Sequence, residues 1–209
     1  MRKFMVVPIA ALLVLTIAAP VSAGPNVANS SQSALTAQAS WSSGTDEAAT
    51  YGSLYAWQDA GSSSASLEFF EESGAYVDCT PGDDTDESYG FQGQYRFGFG
   101  EGTLAVGRGM ADAQAAGTLE IFTTVIDECA GTYEETQEGG LAVSLDLTAT
   151  SARIMERGTW SFHIPGEFNS HSSYTTTYRV AAGTATIGGD EIAVDGGIGK
   201  VSWRDHSNG

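Results

Sequence analysis

Lysine is nearly missing from this sequence. There are two in 209 residues, and with seven arginines they face 26 acidic residues, for a formal net charge of −17. Charged residues make up 17% of the chain where about 25% is usual, so the acidity reflects missing bases more than added acids. A surface of that sign repels phosphate backbones and anionic lipid, which excludes nucleic acid as an expected partner and favours solubility. Long apolar runs are also scarce. After residues 6–19 nothing approaches the roughly 18 apolar residues of a membrane helix, so no transmembrane anchor is expected in the mature chain. There is no Gly-x-Ser-x-Gly elbow for serine chemistry and no glycine-rich phosphate loop in the right context.

The start of the chain supplies a compartment. Arg2 and Lys3, the apolar run and then Val21-Ser22-Ala23 follow the charged, apolar, small-residue order of a secretory signal peptide covering residues 1–23. Gly24 stands where a bacterial lipoprotein would carry its lipid-modified cysteine. The mature protein is therefore expected to be secreted, either extracellular or periplasmic. The only two cysteines, Cys79 and Cys129, agree with an oxidising compartment and are expected to form a disulfide. Neither has a histidine near it in sequence, which argues against thiol catalysis.

Residues 24–40 are small, polar and without period, so they read as a flexible leader before a single all-β domain over residues 41–209. From there the sequence alternates. In "LAVSLDLTAT" Leu141, Val143, Leu145 and Leu147 fall on one face, and Ser144, Asp146 and Thr148 on the other. "SASLEFF", "GTLEIFTTVIDEC", "RIMERGTWSFHI" and "YTTTYRVA" are similarly rich in β-branched and aromatic residues. Turn signals stand at Gly139-Gly140, Pro165-Gly166 and Gly188-Gly189-Asp190, and "MADAQAAG" is the one helix-like stretch. The expected fold is an antiparallel β-sandwich of jelly-roll type or a closed β-barrel, built from about ten short strands.

The stretch "YGFQGQYRFGFGEG" puts Tyr89, Phe91, Tyr95, Phe97 and Phe99 on one face and glycines, glutamines and Arg96 on the other. "YGSLYAW" repeats this more weakly with Tyr51, Tyr55 and Trp57. Burial of large rings is a dominant favourable term, so a core-facing row is the first expectation. Two other readings are an exposed platform that stacks on a carbohydrate or other small ligand, and the lipid-facing wall of an outer-membrane barrel. The polar ending "SWRDHSNG" argues against the last, because such barrels typically finish on an aromatic residue.

Three further constellations carry possible chemistry. Asp83, Asp84, Asp86 and Glu87 lie within five residues and could supply oxygen ligands to Ca²⁺, although the EF-hand spacing fails, with Tyr89 where glycine is needed. His163, Glu167 and His171 could gather round a transition metal, but Pro165 and Gly166 break any helix that would align them. Glu68, Glu120, Asp146 and Glu156 sit at polar strand positions from which a glycosidase pair could be drawn. The leading functional expectation is a secreted, non-enzymatic interaction or surface-associated β domain with a carbohydrate or protein partner. A carbohydrate- or small-ligand-binding module and a glycosidase-like hydrolase are its rivals.

Overall fold

A computed structural model describes residues 28–45, 48–80, 88–164 and 168–208. The signal segment and the acidic loop with Asp83, Asp84, Asp86 and Glu87 lie outside the described residues, as do Pro165, Gly166 and Glu167. Nine strands carry the fold: β1 (Ala28–Gly44), β2 (Ala49–Asp59), β3 (Ala65–Asp78), β4 (Tyr89–Val106), β5 (Asp112–Asp127), β6 (Thr132–Ala149), β7 (Ile154–Ile164), β8 (Phe168–Ile187) and β9 (Asp190–Asn208). Each pairs antiparallel with its neighbours in one sheet. Pairing of β1 with β9, and of β6 with β8, closes that sheet into a ring.

β7 is the continuation of β6. Both run antiparallel to β8, first from Val143 opposite Ile187 to Ala149 opposite Ala181, then from Ile154 opposite Tyr178 to Ile164 opposite Phe168. Residues 150–153 interrupt this single long strand, with the Val180 carbonyl accepting the N–H groups of both Thr150 (2.8 Å) and Ser151 (3.3 Å). The architecture is thus an eight-membered up-and-down barrel. A line perpendicular to the strands, carried from Leu35 through Gln58, Ala65, Gly102, Gly117, Val143, Ile187 and Asp190 with the β2–β3 and β1–β9 registers extended past their last pairs, returns at Thr45, just beyond the end of β1, a stagger of ten residues. With about 3.4 Å per residue and about 4.8 Å between strands, that stagger tilts the strands by roughly 40°.

The tilt means that the ring is complete only in its middle. At the upper end, which carries the β3–β4 and β5–β6 connections, the ends of β3 to β6 project as one flange. At the lower end β7, β8, the end of β9 and the start of β1 project on the opposite side.

An eight-stranded lumen is just wide enough for side chains, and here it is filled by alternating large and small apolar groups. Leu54, Leu67, Leu119, Ile121, Leu145, Leu147 and Ile198 are fully buried, with Ala37, Ala56, Ala113 and Ala185 between them. Trp41 closes the upper part, its indole over Gly52 and its ring 6.1 Å from that of Phe69. Met110, the last residue of the short 3₁₀ segment Arg108–Met110, plugs the lower mouth. Closed barrels leave no free edge within the ring, which suits strands this regular.

Several expectations change in detail. The strands are nine and long, from 11 to 20 residues, because the tilted barrel runs into flanges at both ends. Residues 28–40 are not a leader: they form most of β1, paired with β9 from Ala28 and with β2 from Ala34. Their small side chains, Ala37 and Ala39 on the inward face, fit the narrow lumen that larger residues would overfill. The helix-like stretch reduces to the 3₁₀ turn before β5, and Gly139-Gly140 lies inside β6 opposite the register shift between Leu119 and Ile121. The Gly188-Gly189 hairpin is present, both glycines with positive φ.

Candidate functional site

Inward positions of β4 are Gly98, Gly100, Gly102 and Leu104, set by their neighbours in the lumen. Period two then turns Tyr95, Phe97 and Phe99 outward. The aromatic row is therefore an exterior feature, and the expectation that it faces the barrel core is corrected. Phe97 is 40% exposed and Phe99 55%. The physical reason is the lumen's size: with leucines entering from β3 and β5, only a missing side chain fits at the β4 positions between them. At Gly102, a Cβ would stand 2.7 Å from Leu67 Cδ1.

The outward rings make one connected series. Tyr76 meets Phe91 (centroids 5.5 Å apart), Phe91 meets Tyr95 (5.3 Å), Tyr95 meets Phe70 (6.4 Å) and Phe70 meets Phe97 (5.2 Å). Phe91 is only 4% exposed, because its ring lies down over the bare backbones of the register partners Gly74 and Gly93, which have no side chain to lift it. Tyr76, at the free edge, is 71% exposed. Phe122 on β5 is the register partner of Phe97 and extends the outward surface. On β2, Tyr55 and Trp57 stack 5.4 Å apart on the same outer face, and Tyr51 is exposed one turn of the pleat further up. Tyr89 is exposed at the upper end of β4 with no ring contact to the series.

The rings singled out in the sequence, Tyr51, Tyr55, Trp57, Tyr89, Phe91, Tyr95, Phe97 and Phe99, all stand on the outer side, and Phe70, Tyr76 and Phe122, which were not singled out, stand there with them. The signal was there in part: Phe70 and Tyr76 share parity in "EFFEESGAY", but cross-strand proximity is not visible in one dimension.

Carboxylates border the stripe. Glu68 and Glu120 are both register partners of Phe99, one on each side, and Glu72 is the partner of both Tyr51 and Tyr95. Burial raises the carboxyl of Glu68 above its ordinary range, and burial followed by the neighbouring Glu68 charge raises the Tyr55 phenol. Burial, then several nearby carboxylates and phenols, does the same to Tyr95. Such groups can accept hydrogen bonds from hydroxyls laid across the rings.

The remaining carboxylates do not converge with this pair. Asp146 accepts a hydrogen bond from Gln114 Nε2 (3.0 Å), and Glu156 accepts one from the Tyr178 hydroxyl (3.3 Å). Glu68 and Glu120 stand on a convex wall with Phe99 between them, an arrangement without the facing geometry that glycoside hydrolysis needs. His163 and His171 share the inner face of the lower flange, and no group of three or more metal-ligating side chains occurs among the described residues.

The disulfide joins the β3–β4 and β5–β6 connections, Cys79 to Cys129, with Cα atoms 5.1 Å apart. It crosses the inner side of Gly90, where a Cβ would lie 2.8 Å from the Cys79 sulfur. Closing 50 residues in this way stabilises by about 4 kcal/mol in the chain-entropy model. The bond ties the end of β3 covalently to the turn after β5.

Polarity of the two barrel faces decides against a lipid-facing wall. The lumen is apolar, and the outward positions of the closed ring include Glu101, Glu120, Asp146, Glu191 and Asp195. A transmembrane barrel has the reverse, an apolar exterior and a polar interior. Among the described residues no helix is long and apolar enough to cross a membrane.

No family model and no curated protein matches the chain. Among solved structures, the crystal structure of Neisserial surface protein A matches at 10% identity over 86% of this chain and 97% of that one, with a TM-score of 0.28. A likeness of that size carries neither fold detail nor function across.

Proposed function

We propose that the protein is a secreted, non-enzymatic binding module whose ligand is a carbohydrate laid along the outer aromatic stripe of β3 and β4. One observation carries this reading: five rings from Tyr76 to Phe97 form a continuous series on the outside of a barrel that has an apolar core of its own. Monomeric proteins rarely leave connected apolar surface uncovered unless something binds there. Flat rings suit the apolar faces of sugars, and Glu68, Glu72 and Glu120 are placed beside them to accept sugar hydroxyls.

The experiment is retention on immobilised polysaccharides, with product analysis of the supernatant. Wild-type protein should be retarded and leave the polymer unaltered. Tyr95→Ala and Phe97→Ala should each abolish retention while the circular dichroism and melting curve stay those of the folded barrel. Retention that survives both substitutions, or release of sugar fragments, would overturn the reading.

A further inference from the structure

The few bases of this chain are not scattered. Alternation from the buried Ala181 on β8 and Ile198 on β9 sets the inner face of the lower flange. That face carries Arg157, Arg179, Lys200 and Arg204, and with them all three histidines, His163, His171 and His206. Among the described residues no carboxylate shares it. Glu156, Asp195 and Asp205 have the opposite parity and point to the outside, where Asp205 accepts a hydrogen bond from Ser30 (3.3 Å). In a sequence with 26 acids against nine lysines and arginines, an acid-free face holding this many basic side chains is not what random placement of charges produces.

Local geometry sharpens the point. His171 is the register partner of His206, and Arg204 is flanked by Ser173 on β8 and Ser31 on β1. Directly opposed side chains in a sheet have Cβ atoms about 5 Å apart, so these donors converge. Ser161 Oγ lies 2.8 Å from His171 Nδ1 and orients that ring. Arg179 is committed elsewhere, its Nε donating to the Ser151 carbonyl (2.8 Å) at the break between β6 and β7. Around Arg204 the flange forms a depression of about 280 Å³, lined also by Ser30, Ser31, His171, Ser173, Asp205 and His206.

We propose that this depression binds a compact oxyanion, a phosphate or sulfate group carried by a small ligand. A guanidinium fork with flanking hydroxyls and imidazoles is the donor set that such a group takes. The rest of the surface limits its size. A long polyanion running past the flange would meet the acidic exterior within a Debye length or so, whereas a small ligand at Arg204 meets one carboxylate, Asp205, which already accepts a hydrogen bond from Ser30 (3.3 Å). The site is on the opposite end of the barrel from the aromatic stripe and stands independently of the carbohydrate reading.

The test follows the histidine side-chain NMR signals of the intact protein during titration. The probes are inorganic pyrophosphate, a sugar phosphate monoester, the matching sulfate monoester and a short single-stranded DNA. Saturable one-to-one shifts are expected with pyrophosphate, and the two monoesters show which oxyanion is preferred. Arg204→Gln should weaken binding by about tenfold, Lys200→Gln should weaken it less, and Tyr95→Ala should leave it unchanged. Unmoved histidine signals would overturn the proposal, as would an Arg204→Gln variant that binds like wild type. DNA binding more tightly than pyrophosphate would also overturn it, since the face would then be a general polyanion surface.

Discussion

Arg96 on β4 and Glu71 on β3 are register partners whose side chains meet at 3.0 Å on the inner face, just above the apolar lumen. The guanidinium also lies over the Phe69 ring, 5.5 Å from its centroid. The pair is partly exposed, so its own contribution is modest, but removing one partner leaves a charge stranded at the rim of the core. Glu71→Ala should cost about 1–3 kcal/mol in urea unfolding. The double variant Glu71→Leu with Arg96→Met should recover most of that loss, because neither charge then needs a partner. A Glu71→Ala midpoint equal to wild type would show that the pair does not close the barrel.

Glycine inside β4 is a packing requirement. Gly102 and Gly117 are register partners, and the Leu67 side chain lies over both. Gly102→Val should destabilise by about 1–3 kcal/mol through overpacking of the lumen. Gly139→Ser is the control: nothing stands within 4 Å of a Cβ there, and the change should stay within about 0.5 kcal/mol. Equal denaturation midpoints for the two variants would refute a filled lumen at this level.

Asp127 ties the top of β5 to the turn below the disulfide. Its carboxylate accepts the Ala130 N–H (2.9 Å) and Gln92 Nε2 (3.0 Å). These bonds, the Ala130 one first, hold its carboxyl below the usual aspartate range. A carboxyl with a depressed folded-state value contributes stability above its unfolded value and loses it as pH falls through the folded one. Acidification below about pH 4 should therefore loosen residues 128–131 in amide exchange, and Asp127→Asn should remove that acid dependence. Identical acid profiles for the two proteins would contradict the assignment.

Much of the scaffold was legible in one dimension. Leu141, Val143, Leu145 and Leu147 alternate in the sequence and are all turned toward the lumen, because a strand's period of two needs no tertiary information. The disulfide followed from there being two cysteines and one compartment. The same alternation divided the row from Tyr89 to Phe99 into an aromatic face and a glycine face, but could not say which was inside. Ordinary burial logic points the rings inward; the closed eight-strand ring leaves room at Gly98, Gly100 and Gly102 only for glycine, and the rings had to go out.

Residues 28–40 show the same limit, for a run of serines and alanines has no local signal for a strand until a narrow lumen selects small side chains. Charge is the plainest case. Composition determined that the protein is acidic and short of bases, a sum to which position contributes nothing. Only the registers of β7, β8, β9 and β1, which bring His171 to His206 and Arg204 to Ser31 across long sequence separations, decided that those few bases share one inner face on which, among the described residues, no acid stands.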